Sequence, residues 1–298
     1  MEFLPYFVCK SVCALLKNLG DLELLCRENP DCDYWNAAIK SDFEKRPTFS
    51  VQICHARRQW MYGISRRQGH KTTKLSFDAL KSVCKNENFR LEKIAFTTNY
   101  CSGQFSSHPQ EITEIVKFAV SYCYKSELES AGGLWSFFPV APSMKVAVVF
   151  KDRSFRKINI DARQIGHEDF VRQQIKSIHL KVLHLTVRYC SNSFQLELEQ
   201  FALTKPFSRL VLPEITGFDF EFFKKMLCKP LLGIAWCSFM AQFRCKWKVV
   251  SEFNRENQIF VDEFTVVWGR ADGTRVRVEF HPSSRVFVLV LWQDEDLQ

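Results

Sequence analysis

The chain has 298 residues, of which 46% are apolar and 25% are charged, and its formal net charge is +8. This composition is typical of a folded globular protein and argues against disorder. The longest uncharged apolar run, residues 286–292, is far shorter than the roughly 18 residues that a membrane span needs. We therefore expect no membrane partner, and no signal peptide is evident at the N-terminus.

Twelve cysteines occur at irregular spacings, and several lie among apolar residues. In a chain of this length that pattern favours reduced core cysteines over a disulfide framework. The expected localisation is the cytoplasm, the nucleus or both.

Residues 1–42 are predicted to form a small helical segment. Leu4 and Pro5 open the first helix, because proline is tolerated in a first helical turn. Gly20 ends that helix and Asp21 is a good N-cap for a second one. The apolar residues at helical spacing are Val8, Val12, Leu15, Leu16 and Leu19, followed by Leu22 and Leu25. By pattern alone, this segment would cap a repeat array.

The next segments, TFSVQICHA and RQWMYGISRR, alternate apolar and polar residues and meet at Arg57 and Arg58, which predicts a β-hairpin. Further along, we expect a helix starting at Thr73 or Ser76, a strand over 91–98, a polar loop over 99–110 and an amphipathic helix over 111–124.

Residues 40–93 hold thirteen basic and five acidic residues, which accounts for the whole net charge of +8. A basic patch flanks Trp60 and Tyr62, and its members are Arg57, Arg58, Arg66, Arg67, His70 and Lys71. Arginines interleaved with aromatic rings can bind single-stranded nucleic acid. However, the alternation gives no single face that is both aromatic and basic. A solvated strand with Trp60 packed inward is therefore favoured over a nucleic-acid interface.

One strand-then-helix pattern is written three times over residues 155–229: FRKINID with HEDFVRQQIKSI, KVLHLTV with SFQLELEQFAL, and FSRLVLPE with FDFEFFKKML. The anchors Ile158, Leu183 and Leu210 recur after 25 and 27 residues, a period typical of leucine-rich-repeat-like solenoids. Stacked units would share one core, with parallel strands on one side and helices on the other.

Local and periodic signals conflict before this repeat. By propensity MKVAVVF is a strand, whereas the period places a strand at 134–138 and a helix at 143–151. The repeat is favoured, and helix or strand at 143–151 stays open. After the repeat, we expect a strand over 236–247, a short helix capped by Ser251, and an antiparallel β-meander over 264–268, 275–280 and 286–292 with a turn at Asp272 and Gly273. Arg275, Arg277 and Glu279 alternate with apolar residues, which predicts one wet face for the second strand of this meander.

No motif for catalysis, cofactor binding or zinc is present: there is no glycine-rich loop between a strand and a helix, no GxSxG, no HExxH and no CxxC pair. We therefore predict that the protein is not an enzyme, has no catalytic residues and binds no cofactor or metal.

Segments near the N-terminus and in the C-terminal half of the chain resemble one known group of protein families. Leu4-Pro5, Asp21-Leu22 and Trp35 occur in the order of an F-box. In addition, ALTKPFSRLVLPE, FDFEFFKKML and VVWGRADGTRVRVEF resemble the F-box-associated region of nematode F-box families. The resemblance implies an F-box-like segment at 1–42 and, at 43–298, an α/β solenoid with a C-terminal β-meander.

The resemblance also implies a function, namely that of substrate receptor in an SCF-type (cullin-RING) ubiquitin ligase. A Skp-family adaptor and cullin complex would be partners, together with an unidentified protein client. The implied adaptor contacts are Leu4, Pro5, Val8, Val12, Leu15, Leu22 and Leu25. The alternative is a stand-alone protein-binding scaffold whose N-terminal helices only cap the repeat.

Overall fold

The computed structural model describes residues 9, 12, 34, 37, 38, 46–56, 59–68, 71–86, 89–97, 105–123, 125–130, 149–150, 152–161, 168–187, 190–231, 236–283 and 285–293. The chain divides into two compact units, Met1–Arg156 and Lys157–Gln298. Strands and helices alternate in both units, so the predicted α/β class is confirmed.

The described part of the first unit is built on a mixed sheet. Its elements are β1 (Thr48–Ala56), β2 (Gln59–Gln68), β3 (Lys71–Leu75), α1 (Phe77–Asn86), β4 (Arg90–Thr97), β5 (Phe105–Ser107), α2 (Pro109–Val120) and β6 (Ser126–Ser130). The strand order is β3–β2–β1–β4–β6, and β5 pairs with β2. β1 is antiparallel to β2 and parallel to β4, which in turn is parallel to β6.

The predicted hairpin of this unit is confirmed, because β1 pairs with β2 from Thr48 opposite Arg67 to Ala56 opposite Gln59. The predicted helix begins after Ser76, whose Oγ accepts a hydrogen bond from the Ala79 N–H at 3.2 Å. Thr73 instead lies in β3, so the alternative helix start at that residue is wrong.

Other predictions for the first unit need correction. The expected polar loop over 99–110 contains β5, and the helix expected over 111–124 ends at Val120, where the backbone tightens into a turn. β6 was not predicted, since its sequence SELES has little apolar character. The strand expected at 134–138 lies outside the described residues. So does the helix at 143–151, apart from Val149, which is helical, and Phe150.

The second unit begins within β7 (Phe155–Asp161). Its further elements are α3 (Glu168–Lys176), β8 (Val182–Thr186), α4 (Asn192–Thr204), β9 (Arg209–Phe218), α5 (Phe220–Leu227), β10 (Trp236–Phe243), α6 (Trp247–Ser251), a 3-10 turn (Arg255–Asn257), β11 (Gln258–Val261), β12 (Thr265–Gly269), β13 (Thr274–His281) and β14 (Val286–Gln293). The strand order is β7–β8–β9–β10–β14–β13–β12–β11.

The three predicted strand-helix repeats are confirmed. Ile158 pairs with Leu183 and Leu183 with Leu210, so the three anchors lie side by side on neighbouring parallel strands. All three are buried, with at most 1% of their surface exposed. β10 extends this parallel run by pairing with β9. The repeat period therefore identified the core of this unit correctly.

The predicted antiparallel meander is also confirmed. β12, β13 and β14 pair in sequence, and β14 also pairs with β10. At the first turn, Gly273 has a φ of 76°, a conformation that glycine adopts without strain. Two expectations for the preceding segment are wrong: the strand from Trp236 ends at Phe243, and Ser251 ends the short helix α6 instead of capping its start.

Candidate interaction surfaces

The predicted adaptor contacts fall almost entirely outside the described residues. Leu4, Pro5, Val8, Leu15, Leu22 and Leu25 are in that group, and Val12 alone among the seven is described, as a half-buried helical residue. Two nearby helical residues, Cys9 and Ala38, are 0% exposed. Part of the N-terminal segment is therefore buried within the chain.

The basic patch predicted around the hairpin is split between two faces of the sheet. Arg57 and Arg58 lie outside the described residues. Arg66 and Arg67 are neighbours on β2, so their side chains leave opposite faces. The Arg66 guanidinium lies 5.1 Å from the Phe89 ring centroid, whereas Arg67 Nη1 lies 3.5 Å from Glu92 Oε1.

Lys71 on β3 is exposed and pairs with Gln68 on β2. Because Gln68 and Arg66 are two residues apart, Lys71 lies on the same face of the sheet as Arg66. The described basic residues of this region therefore do not form one continuous surface.

The aromatic rings of the hairpin pack inward, as predicted for Trp60. Trp60 is 6% exposed and Tyr62 is 4% exposed. The Tyr62 hydroxyl accepts a hydrogen bond from the Phe77 N–H at 3.3 Å and donates one to Glu111 Oε1 at 3.4 Å. Burial raises the pKa of Tyr62 above its ordinary value. Rings buried in this way are not accessible for stacking with nucleic-acid bases.

A polar cluster joins the first turns of α3 and α4. The backbone N–H and the Oγ of Ser191 donate to the two oxygens of Glu168, at 2.8 and 2.6 Å. Ser191 Oγ also accepts the Phe194 N–H, which caps α4. Arg172 forms ion pairs with Glu168 and with Glu197. These bonds satisfy backbone N–H groups at the start of α4 and link α4 to α3.

The adjacent Cys190 is a poor nucleophile, because burial raises the pKa of its thiol to about 11. Glu168 lies in the acidic first turn of α3, where a carboxylate is favoured by the macrodipole of its own helix. The structure adds a second role for this carboxylate in the next repeat unit, which only the packing of α3 beside α4 could show.

Two further features are absent from the described part of the chain, namely a cluster of metal ligands and a membrane-spanning helix. There, no three His, Cys, Asp or Glu side chains lie close enough together to hold a metal ion. None of the described helices has the length and apolar character to cross a membrane.

The sheet of the second unit has two chemically different faces. One face is the core, with Leu183, Leu210, Phe239 and Leu289 all at most 1% exposed. Side chains of the opposite face are mostly half-buried or exposed. Among them are five that we call the arginine-tryptophan face: Arg209, Trp236, Arg275, Arg277 and Trp292.

Strand register brings these five residues together. Trp236 on β10 lies opposite Trp292 on β14, which lies opposite Arg275 on β13. In the next row, Ser238 and Val290 separate Arg209 on β9 from Arg277 on β13. The sequence correctly predicted a wet face for Arg275 and Arg277 but did not find the two tryptophans or Arg209, because they come from three other strands.

The strand that precedes the meander, β11, also carries apolar side chains at the surface. Ile259, Phe260 and Val261 of β11 are 56%, 51% and 49% exposed. Within the described residues, β11 pairs with β12 alone and forms an edge of the sheet. This edge is an exposed strand edge of the kind that can pair with another chain.

Comparisons with known proteins identify no relative: no protein-family model, no curated protein and no solved structure matches the chain.

Proposed function

We propose that the protein is a non-catalytic protein-interaction subunit that acts as the substrate receptor of an SCF-type ubiquitin ligase in the cytoplasm or nucleus. The observation that carries the interaction role is the second-unit sheet, whose core face is sealed while its opposite face displays arginine and tryptophan side chains. Arginine and tryptophan are enriched among the residues that dominate binding energy at protein interfaces.

The ligase role comes from the resemblance of the N-terminal segment to an F-box. In this proposal, the helical segment at 1–42 binds a Skp-family adaptor through its apolar residues, while the remainder of the chain binds the client. The receptor does no bond chemistry. It raises the local concentration of a client lysine near the ubiquitin-conjugating enzyme, which is catalysis by proximity.

The test is co-purification of the full chain with a Skp-family adaptor. A variant with Val12→Asp and Leu15→Asp should lose the adaptor, because charged side chains cannot be buried in an apolar helix interface without a partner. The matched control is Leu196→Asp, since Leu196 is 64% exposed on α4. Failure of the intact, folded chain to bind the adaptor would rule out the ligase role.

A stand-alone protein-binding scaffold is the second candidate. In this candidate the N-terminal helices only cap the repeat. This candidate predicts that the chain binds a client without any adaptor.

Nucleic-acid binding through the basic hairpin is less well supported. Trp60 is buried, and Arg66 and Arg67 leave opposite faces of the sheet.

A further inference from the structure

We propose that the arginine-tryptophan face binds an acidic, extended segment of a partner protein in which carboxylates alternate with apolar side chains. This inference deepens the proposed function, on which it rests, because it assigns the client-binding surface and the chemical class of the client segment.

The face is built from rigid elements. Each of its residues lies on a strand within the sheet, and the residues next to them on those strands point into the core: Cys237, Leu291 and Val276 are at most 1% exposed. Adjacent strands are separated by about 4.8 Å, so Arg209 and Arg277, three strand spacings apart, lie about 14 Å from each other. That distance spans about four residues of an extended peptide.

The charges of the face are suited to carboxylates. Arg209 is exposed, and within the described residues its side chain has no hydrogen bond or ion pair. Arg277 is exposed as well and pairs with Glu279 at 2.5 Å. A guanidinium group binds a carboxylate through two parallel hydrogen bonds, which a lysine cannot reproduce. Glu279 contacts Arg277 through Nη2, and because a guanidinium has five N–H donors, Arg277 can also bind a ligand carboxylate. Arg209 and Arg277, at opposite ends of one row, therefore favour a ligand with spaced negative charges.

The centre of the face is apolar. Trp236 is 48% exposed, and Trp292 lies directly opposite it. Val290 lies in the next row beside Trp292, Met240 and Val288 lie one row further along the strands, and all three are half-buried. Apolar area of this kind is stabilised when a partner's aliphatic or aromatic side chain covers it. An acidic ligand without apolar residues would leave the apolar surface of the two tryptophans in contact with water.

Single-stranded nucleic acid is the rival polyanion, and the geometry favours a peptide. Successive bases need separate rings along the path of the backbone. Here the two tryptophans are adjacent in one row, and the positions beside them carry Arg275, Ser238 and Val290 instead of further rings.

The test starts from selection of random 12-residue peptides on the immobilised full-length chain. We expect enrichment of sequences in which Asp or Glu alternates with Leu, Phe or Trp. Fluorescence anisotropy then measures the dissociation constant of the best peptide and of a 12-nucleotide poly-dT strand. The variant Arg209→Glu with Arg277→Gln should weaken peptide binding at least tenfold, and Trp236→Ala should weaken it severalfold.

The matched control is Lys248→Glu with Lys246→Gln, which changes the net charge by the same amount at exposed residues away from the face. It should leave peptide binding within twofold. All variants sit at the surface, and a cooperative thermal transition checks that each is folded. A selection without acidic enrichment would overturn the proposal. Equal loss in the face and control variants, or tighter binding of poly-dT than of the peptide, would do the same.

Adaptor co-purification of the Arg209→Glu, Arg277→Gln variant separates the two hypotheses. If the native chain and the face variant both bind the adaptor but the selection on the native chain yields no acidic peptide, the receptor role stands and the assignment of this face fails. If peptide binding behaves as expected but the native chain binds no adaptor, the face is real and the ligase role fails.

Discussion

Lys229 shows how a single buried charge can satisfy the carbonyl groups at the end of a helix. Its side chain is 2% exposed, and its ammonium donates to the carbonyls of Lys205 and Leu203 at 2.9 and 3.3 Å. These carbonyls lie at the C-terminus of α4, where backbone acceptors have no partner within the helix. The ammonium also lies 5.1 Å from the Phe207 ring centroid. Burial nevertheless lowers the pKa of Lys229 below its ordinary value of 10.5.

The lowered pKa predicts a pH dependence of stability. Below the ordinary pKa, the unfolded chain holds the Lys229 proton more tightly than the folded chain does. The free energy of unfolding of the native protein should therefore rise relative to that of Lys229→Met as the pH approaches 10.5. The slope of this gain is at most about 1.4 kcal/mol per pH unit, because a single proton is involved.

Urea unfolding of both proteins between about pH 7 and pH 10 measures this difference. Comparison with the variant cancels the titration of all other groups, and Lys248→Met is the control because Lys248 is exposed. A difference that falls with rising pH would contradict the proposed effect of burial.

At the scale of elements, the repeat is held together by the aligned anchors Ile158, Leu183 and Leu210 and by the helices that pack over them. α4 shows both sides of this arrangement, since Leu198 is 0% exposed and Leu196 is 64% exposed. The helix α5 adds a compact aromatic group. The ring centroid of Phe222 lies 5.0 Å from that of Phe218 and 5.7 Å from that of Phe239. Burial of these faces, more than helix propensity, stabilises the helices.

This arrangement predicts unequal costs for the same chemical change. Leu210→Ala should lower the free energy of unfolding by about 2–5 kcal/mol, because it leaves a cavity between β8, β9 and β10. Leu196→Ala should change it by less than about 0.5 kcal/mol, because the side chain is already in water. Chemical denaturation monitored by circular dichroism measures both. Similar losses for the two variants would show that Leu210 is not a core anchor.

At the scale of the whole molecule, the cysteines behave as a set of largely buried thiols. Eight are described, all without disulfide bonds, and Cys9, Cys54, Cys84, Cys123 and Cys237 are buried. Burial raises the pKa of Cys237 and of Cys245 to about 11. Such thiols hold very little thiolate at neutral pH and react slowly. The burial of five of the eight described cysteines agrees with their predicted place in the core.

Thiol alkylation of the native protein should therefore be selective. We expect Cys228, which is exposed, to react with iodoacetamide at least about 100-fold faster than Cys237 at neutral pH. Labelling of Cys245 should rise about tenfold per pH unit below 11, because its thiolate fraction does. Peptide mass spectrometry after timed labelling gives the rates, and labelling in urea is the control. Equal rates for Cys228 and Cys237 in the native state would contradict the packing of β10.

The sequence by itself determined the parts of this protein that depend on local periodicity. The 25- and 27-residue repeat located β7, β8 and β9, and alternation of apolar and polar residues located the hairpin and the meander. These signals are strong because each residue's burial is set by its place in a strand or helix. The same logic missed β3, β5, β6 and β11, since short polar strands and exposed edge strands leave little alternation of apolar and polar residues to detect.

Only the tertiary structure decided how strands that are far apart in the chain pair, and in what register. That register sets Trp236 beside Trp292 and Arg275, although 56 residues separate the two tryptophans in the chain. It also makes Glu168 a hydrogen-bond partner of Ser191 in the following unit. Pairings of this kind depend on long-range strand order, which the sequence of a single strand does not encode, so the candidate binding surface became visible only in the folded sheet.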